Sequence, residues 1–174
     1  MEFTLRPWKP DDLPSLIKYG DNWNIAKNLS NLFPHPYTED AGKAFIRFAN
    51  ADKPIHTFAI EVNGEAVGGI GIHPQTDIME KNAELGYWLG EPFWGKGIVS
   101  GAVRQILNFA FDTYQIDRVY ATVFRANIAS QRLLEKNGFR LEANIEKLFW
   151  KKGEYHDGLI YAVRRDHWTI NSKK

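Results

Sequence analysis

The chain of 174 residues contains no cysteine. That absence excludes disulfides, thiolate metal sites and a cysteine nucleophile. Net charge is nearly absent as well: 22 basic residues stand against 21 acidic ones. No bulk attraction to nucleic acid or to an anionic membrane follows from such a balance. No stretch is apolar enough for a membrane span or a secretory leader, so the expected location is the cytoplasm. The five histidines lie scattered, without ligand spacing, and no metal site is read from them. Repeats, linkers and low-complexity runs are missing too. One domain covering 1–174 is therefore expected, long enough for a single sizeable core.

What is present centres on residues 82–114. Asn82-Ala83-Glu84-Leu85-Gly86-Tyr87-Trp88-Leu89 is strand-forming by composition. A turn containing Gly95 and Gly97 follows. It opens into a helix in which Val103, Ile106, Leu107, Ala110 and Phe111 recur at helical spacing. A glycine turn at a helix N-terminus aims unpaired backbone N–H groups and the positive dipole end outward, which suits a phosphate or diphosphate. Read from Gly90 to Lys96, the same stretch is a near miss to the P-loop of nucleotide triphosphatases. That pattern needs Ser or Thr after the lysine to hold magnesium, and here Gly97 stands there. Pro92, Phe93 and Trp94 are also poor material for a loop that wraps a phosphate chain.

The flanks supply the fold. Residues 3–6 alternate as a strand ended by Pro7 and Pro10, and Asp11-Asp12 opens a helix with Leu13, Leu16 and Ile17 on one face. Residues 22–29 form a second, weak helix, broken at Phe33-Pro34-His35-Pro36. Thr38 is a good N-cap, with Glu39 and Asp40 in the first turn and Ala41, Phe45, Ile46 and Phe48 pointing inward. Strands at 56–62 and 66–73 join through Asn63-Gly64, a strong hairpin signal. A polar loop at 74–81 comes next. After the helix at 100–114, residues 118–123 alternate as a strand carrying Val119, Ala121 and Val123, an order that permits parallel pairing. Residues 128–137 are helical, with Gly138 as a left-handed cap. A last hairpin runs through 141–151, Lys152-Gly153 and 155–163. This order predicts a layered α/β (α+β) fold around a mixed, mostly antiparallel sheet of six to seven strands, with helices on both faces.

Trp94-Gly95-Lys96-Gly97-Ile98-Val99 resembles the acyl-CoA pyrophosphate loop of the GCN5-related N-acetyltransferases (the GNAT superfamily), usually Gln/Arg-x-x-Gly-x-Gly/Ala. Gly97 is kept, while Trp94 and Val99 depart from the pattern. Downstream, Asn127-Ile128-Ala129-Ser130 and Leu133 through Phe139 resemble the second CoA motif of that family. The Gly-Tyr-Trp-Leu strand, the Trp before Gly-Lys-Gly and the Asn-x-x-Ser are similar to the branch of RimJ/RimL-type ribosomal-protein N-terminal acetyltransferases. Similarity runs from Leu5-Arg6-Pro7 to about Ala162.

The resemblance implies an acyltransferase with acetyl-CoA as co-substrate and no metal. It implies a cleft where the strands at 83–89 and 118–123 splay apart. Main chain near Trp88 and Leu89 would meet pantetheine, and an N–H there would polarise the thioester carbonyl. Amides from Gly95 through Ile98, Val99 and Ser100 would bind the diphosphate; Lys96 and Arg104 read first as solvated surface and second as added charge beside the phosphates. Val99 crowds a place usually given to Gly or Ala. Asn127 would bond pantetheine besides capping its helix. Many relatives protonate the departing thiolate with a tyrosine seven residues after that Asn, where this chain has Leu134. Ser130 stands where its hydroxyl would face the sulfur instead. Glu84 is the leading base, on one strand face with Gly86 and Trp88. His73, His56 and Glu146 are weaker alternatives. Trp23, Asn28, Phe33 and Tyr37 would form one acceptor wall; the 147–155 hairpin, with Phe149 and Trp150, would form the other. Each of these residues also has a plain reading as turn, cap, surface or packing.

Magnitudes favour one acceptor class. An α-amine of pKa about 7.8 costs about 1 kcal/mol to neutralise at pH 7, a lysine amine near 10.4 about 4.6. A protein or peptide N-terminal α-amine therefore leads. Small amines such as polyamines or aminoglycosides stay open, as does a CoA-binding module without turnover. The expected partners are acetyl-CoA and an amine acceptor, with a second copy of the chain entertained and neither nucleic acid nor membrane.

Overall fold

The computed structural model describes residues 1–171. Along them run β1 (Thr4–Pro7), α1 (Leu13–Gly20), α2 (Trp23–Ala26), α3 (Glu39–Ala49), β2 (Thr57–Val62), β3 (Glu65–Pro74) and β4 (Asn82–Leu89). Then come α4 (Ile98–Thr113), β5 (Arg118–Phe124), α5 (Ile128–Lys136), β6 (Arg140–Lys151), β7 (Glu154–Arg164) and α6 (Arg165–Asn171). The strands pair in the order β1-β2-β3-β4-β5-β7-β6. The β1–β2, β2–β3, β5–β7 and β6–β7 pairs are antiparallel, and β4–β5 is parallel. This is the mixed, mostly antiparallel sheet that the element order predicts. The parallel pair needs a long crossover, and α4 supplies it. Its ladder covers only Asn82↔Arg118, Ala83↔Val119 and Glu84↔Tyr120, although both strands continue beyond. No helix among the described residues is long and apolar enough to cross a membrane.

The chain divides into two compact units, Met1–Gly71 with Tyr87–Ala102, and Ile72–Gly86 with Val103–Lys174. In the first, Trp8, Leu16, Ile25, Tyr37, Ile46 and Trp88 share one buried cluster. The Leu13, Leu16 and Ile17 stripe packs into it as the spacing predicts. Phe48, expected inward, is instead 54% exposed. The buried arc of α3 is Gly42, Ile46 and Ala49. At 100° per residue, Phe48 lies about 200° from Ile46, on the far side. The predicted helix at 22–29 shrinks to the four residues of α2, capped by the Asn22 side chain, which accepts from the Asn24 N–H at 2.8 Å. Asn24 and Asn28 offer the backbone competing side-chain bonds, and Asn28 Nδ2 donates to the Asn24 carbonyl at 3.2 Å.

Arg6 ties the start of this unit together. Its guanidinium donates to both Asp12 oxygens, at 2.7 and 2.8 Å, and to Glu61 on β2. Burial would push the Asp12 carboxyl up, but the Arg6 bonds and the Lys9 N–H hold it below the usual carboxylate range. Asp12→Ala should lower unfolding free energy by about 2–4 kcal/mol, because the cation keeps only Glu61. The native value is depressed, so the contribution is present above the ordinary carboxylate range and lost as pH falls through the native value. Urea titrations of wild type and variant should therefore converge in acid. A gap that persists there would point to lost packing.

In the second unit, Val103, Ile106, Leu107, Ala110 and Phe111 on α4 and Val119, Ala121 and Val123 on β5 are all buried, as their periodicity predicts. The α5 helix stops at Gly138 (φ +85°), where the Phe139 N–H donates to the Leu134 carbonyl at 3.1 Å. The β6–β7 hairpin turns on Lys152 (φ +50°) and Gly153 (φ +81°), both left-handed as a two-residue primed turn requires. Between Ile145↔Gly158 and Phe149↔His156, β6 carries two extra residues. The Lys147 N–H donates to Asp157 Oδ1 at 2.9 Å and anchors this bulge. Gly158 permits it, since an added Cβ would meet Leu148 at 2.5 Å. Sequence periodicity did not anticipate α6. Its first residue, Arg165, donates to the carbonyls of Phe111 (2.6 Å), Tyr114 (2.8 Å) and Ile116 (2.9 Å). One side chain thus satisfies a carbonyl in the last turn of α4 and two in the segment that follows it.

Candidate active site

On the first unit, β4 ends in a turn that delivers the main chain to α4. Trp88 and Leu89 are buried, and the Leu89 carbonyl accepts from the Trp94 indole at 2.7 Å. Trp94 therefore straps the loop to the strand end, a role the motif comparison did not assign. Lys96 folds back, with Nζ donating to the Pro92 carbonyl at 2.8 Å and lying 5.5 Å from the Phe93 ring centre. Gly95 (φ +73°) and Gly97 (φ +76°) are both left-handed, and an added Cβ at either meets nothing within 4 Å. From Trp94 to Gly97 the chain is exposed.

The first bond of the α4 ladder runs from the Gly101 N–H to the Gly97 carbonyl at 3.1 Å. The amides of Ile98 and Val99 therefore precede the ladder, at the positive end of a 16-residue helix. Ile98 and Ser100 anchor that end by burying their side chains, and Val99 is half-buried. An open, left-handed glycine cradle at a helix N-terminus fits a diphosphate.

On the second unit, Glu84 and Gly86 leave one face of β4 while Ala83 and Leu85 are buried on the other. Glu84 is half-buried, and burial raises its carboxyl above the usual range, offset in part by the Thr122 hydroxyl, which donates to Oε1 at 3.4 Å. A carboxylate shifted this way is a stronger base. The His73 ring lies 4.0 Å from the point where a Gly86 Cβ would stand, on the same side. Further along, the Asn127 side chain accepts from the Ser130 N–H at 3.2 Å and caps α5. Ser130 is buried, where a surface serine was the plain alternative. Leu134 is fully buried in the core.

Ser130→Ala should lower turnover about tenfold and leave the Michaelis constant for acetyl-CoA nearly unchanged. The cap survives the change because Asn127 accepts from the main chain. An unaltered kcat would remove this hydroxyl from the chemistry.

The acceptor candidates separate into distinct settings. Phe33 packs against Tyr37 (5.0 Å) and Trp88 (5.4 Å), and Trp23 lies 5.6 Å from His35. Tyr37 belongs to the core cluster, and burial pushes its hydroxyl up to about 12. Asn28 is engaged with α2. On the second unit, Trp150 is exposed against Tyr155 at 4.7 Å, while Phe149 stacks on Phe124 at 4.4 Å. Beside that stack a pocket of about 410 Å³ is lined by Phe124, Arg125, Ala126, Tyr155, His156 and Asp157. Thr122 and Tyr120, neighbours of Glu84, were missed from sequence. Parallel pairing had been foreseen, and a register built on it would have placed Tyr120 opposite Glu84.

In the first unit, the glycine cradle at the N-terminus of α4 has the open backbone geometry that suits the diphosphate of coenzyme A. The chain belongs to the GNAT acetyltransferases, because the family model for the acetyltransferase (GNAT) domain matches residues 2–140. Over 170 residues it is 29% identical to the SPbeta prophage-derived N-acetyltransferase YokL of Bacillus subtilis, covering 97% of this chain and 93% of the other. Spermidine N(1)-acetyltransferase of Escherichia coli is 23% identical over 175 residues, 97% of this chain and 89% of its own. The structure of RimL, a ribosomal alpha-N-protein acetyltransferase in complex with coenzyme A, matches with a TM-score of 0.79 at 22% identity. That match covers 95% of each chain. At that identity the likeness to RimL is one of fold. The protein is an N-acetyltransferase with acetyl-CoA as its co-substrate.

Proposed function

We propose that the chain, acting as one N-acetyltransferase domain over 1–174 in the cytoplasm, acetylates the α-amino group of a peptide or protein. The acceptor amine attacks the thioester carbonyl directly, forming the C–N bond and expelling the CoA thiolate. No acyl-enzyme intervenes, which suits a chain without cysteine. The amides of Gly95 to Ser100 hold the diphosphate, and Asn127 takes part in binding the pantetheine arm. Glu84 removes the proton that the attacking amine loses. The Ser130 hydroxyl donates a hydrogen bond to the departing sulfur, in place of the tyrosine that Leu134 replaces.

The observation that carries the acceptor choice is Glu84, a half-buried carboxylate that burial makes more basic. Such a base is matched to an α-amine, which costs only about 1 kcal/mol to neutralise at pH 7, better than to a lysine-type amine. A polyamine is the second reading, favoured by similarity to the spermidine enzyme over nearly the whole chain. Thiol release from acetyl-CoA separates the two. Peptides with varied first residues, spermidine, spermine and an aminoglycoside are offered in turn. Turnover of free peptides, lost when their N-termini are blocked, supports the α-amine. Turnover of polyamines alone replaces it with the second reading.

A further inference from the structure

The parallel register sets Glu84 of β4 directly beside Tyr120 of β5, and Thr122 is two residues further along the same face. All three are half-buried. The Thr122 hydroxyl reaches Glu84 Oε1 at 3.4 Å. The groups facing this carboxylate can be named element by element. From β5 come Tyr120 and, one pair earlier, Arg118, whose guanidinium lies 5.0 Å from the Tyr120 ring centre. Arg118 is committed elsewhere, donating to Asn82 Oδ1 at 2.8 Å and to Glu142 at 2.6 Å. From β3 comes His73, beside Gly86. From β7 comes Arg164, opposite Arg118 and 3.5 Å from Glu142. Both arginines are thus engaged with Glu142, and a neutral hydroxyl is what meets Glu84.

We propose that Thr122 is a positioning residue for Glu84: its hydroxyl donates to the carboxylate, fixes the rotamer of the base and keeps it ionisable in a half-buried place. This rests on the reading of Glu84 as the base. A base buried with no stabilising partner stays protonated and idle, whereas a strong cation would depress its pKa and blunt it. A single neutral donor gives the intermediate outcome. Burial raises the carboxyl, and the Thr122 bond offsets part of that rise. Tyr120 complements it, because burial and the nearby Glu84 charge raise its phenol and keep it un-ionised beside the base.

The test reads the carboxyl directly and needs no acceptor. The protein labelled with carbon-13 at glutamate Cδ is titrated by NMR, with Glu84→Gln assigning the resonance by its loss. Thr122→Val keeps side-chain shape while deleting the donor, and Thr122→Ser restores it. The expected result is a Glu84 midpoint moved to higher pH in Thr122→Val and returned toward wild type in Thr122→Ser. A Thr122→Val midpoint superimposed on wild type overturns the proposal, as does a shift that serine fails to reverse. Should Thr122→Val fold poorly, Thr122→Ala gives the same comparison. The base reading fails separately: Glu84→Gln would then turn over acetyl-CoA and acceptor at the wild-type rate, whatever the titration shows.

Discussion

Gly97→Asp is expected to weaken CoA binding by at least about a hundredfold while leaving the fold standing. Three effects act on that position. Its φ of +76° belongs to a region that L-residues occupy at a cost, which aspartate tolerates better than most. A carboxylate at the N-terminus of α4 interacts favourably with the helix dipole, by about 0.3–1 kcal/mol, and offsets part of that strain. The same carboxylate then competes with the diphosphate for the amides of Ile98 and Val99, and like charges brought together cost several kcal/mol. Stability therefore changes little and affinity falls steeply. Calorimetric titration with CoA, alongside thermal melts, measures both. Gly97→Ala carries the backbone strain without the charge and should fall between the two. Wild-type affinity in Gly97→Asp would place the diphosphate elsewhere.

Glu84→Gln is the second large effect, with opposite signs for rate and stability. Removing a general base costs roughly 10²–10⁴ in rate. Because burial raises the native pKa of Glu84, its acidic limb lies above the ordinary carboxylate range. The variant should lose that limb. For stability, a carboxyl raised in the native state contributes below its unfolded pKa, and that contribution is lost as pH rises through the native value. At neutral pH wild type therefore carries a buried charge that glutamine removes at equal volume. The variant should melt higher at neutral pH and match wild type in acid. A superimposable pH–rate profile, taken with the acceptor found by thiol release, would leave Glu84 a structural role.

Much of this was legible before any coordinates. The helix stripes of α1 and α4, the alternation of β5, the Asn63-Gly64 hairpin and the Gly138 cap follow from local preferences and periodicity, and they appear where predicted. The exceptions share a cause. Phe48 was misplaced because an aromatic residue in an amphipathic helix reads as inward, and only the arc through Gly42, Ile46 and Ala49 reveals which side is covered. α6 was missed because its first residue is held by carbonyls fifty positions away, which no window of sequence contains.

The candidate site divides along the same line. The glycine cradle is backbone geometry written in two residues that tolerate left-handed φ, so the chain announces it locally. The ionisation of Glu84 and the hydrogen bond it accepts from Thr122 depend on which strands are neighbours and how deeply they are buried. Those are properties of residues far apart in order, and chain closure settles them after the local elements exist. Family and co-substrate were thus readable in the order of residues. The raised proton affinity of Glu84, set by desolvation and offset by a hydroxyl 38 positions along the chain, became visible only once β4 and β5 were paired.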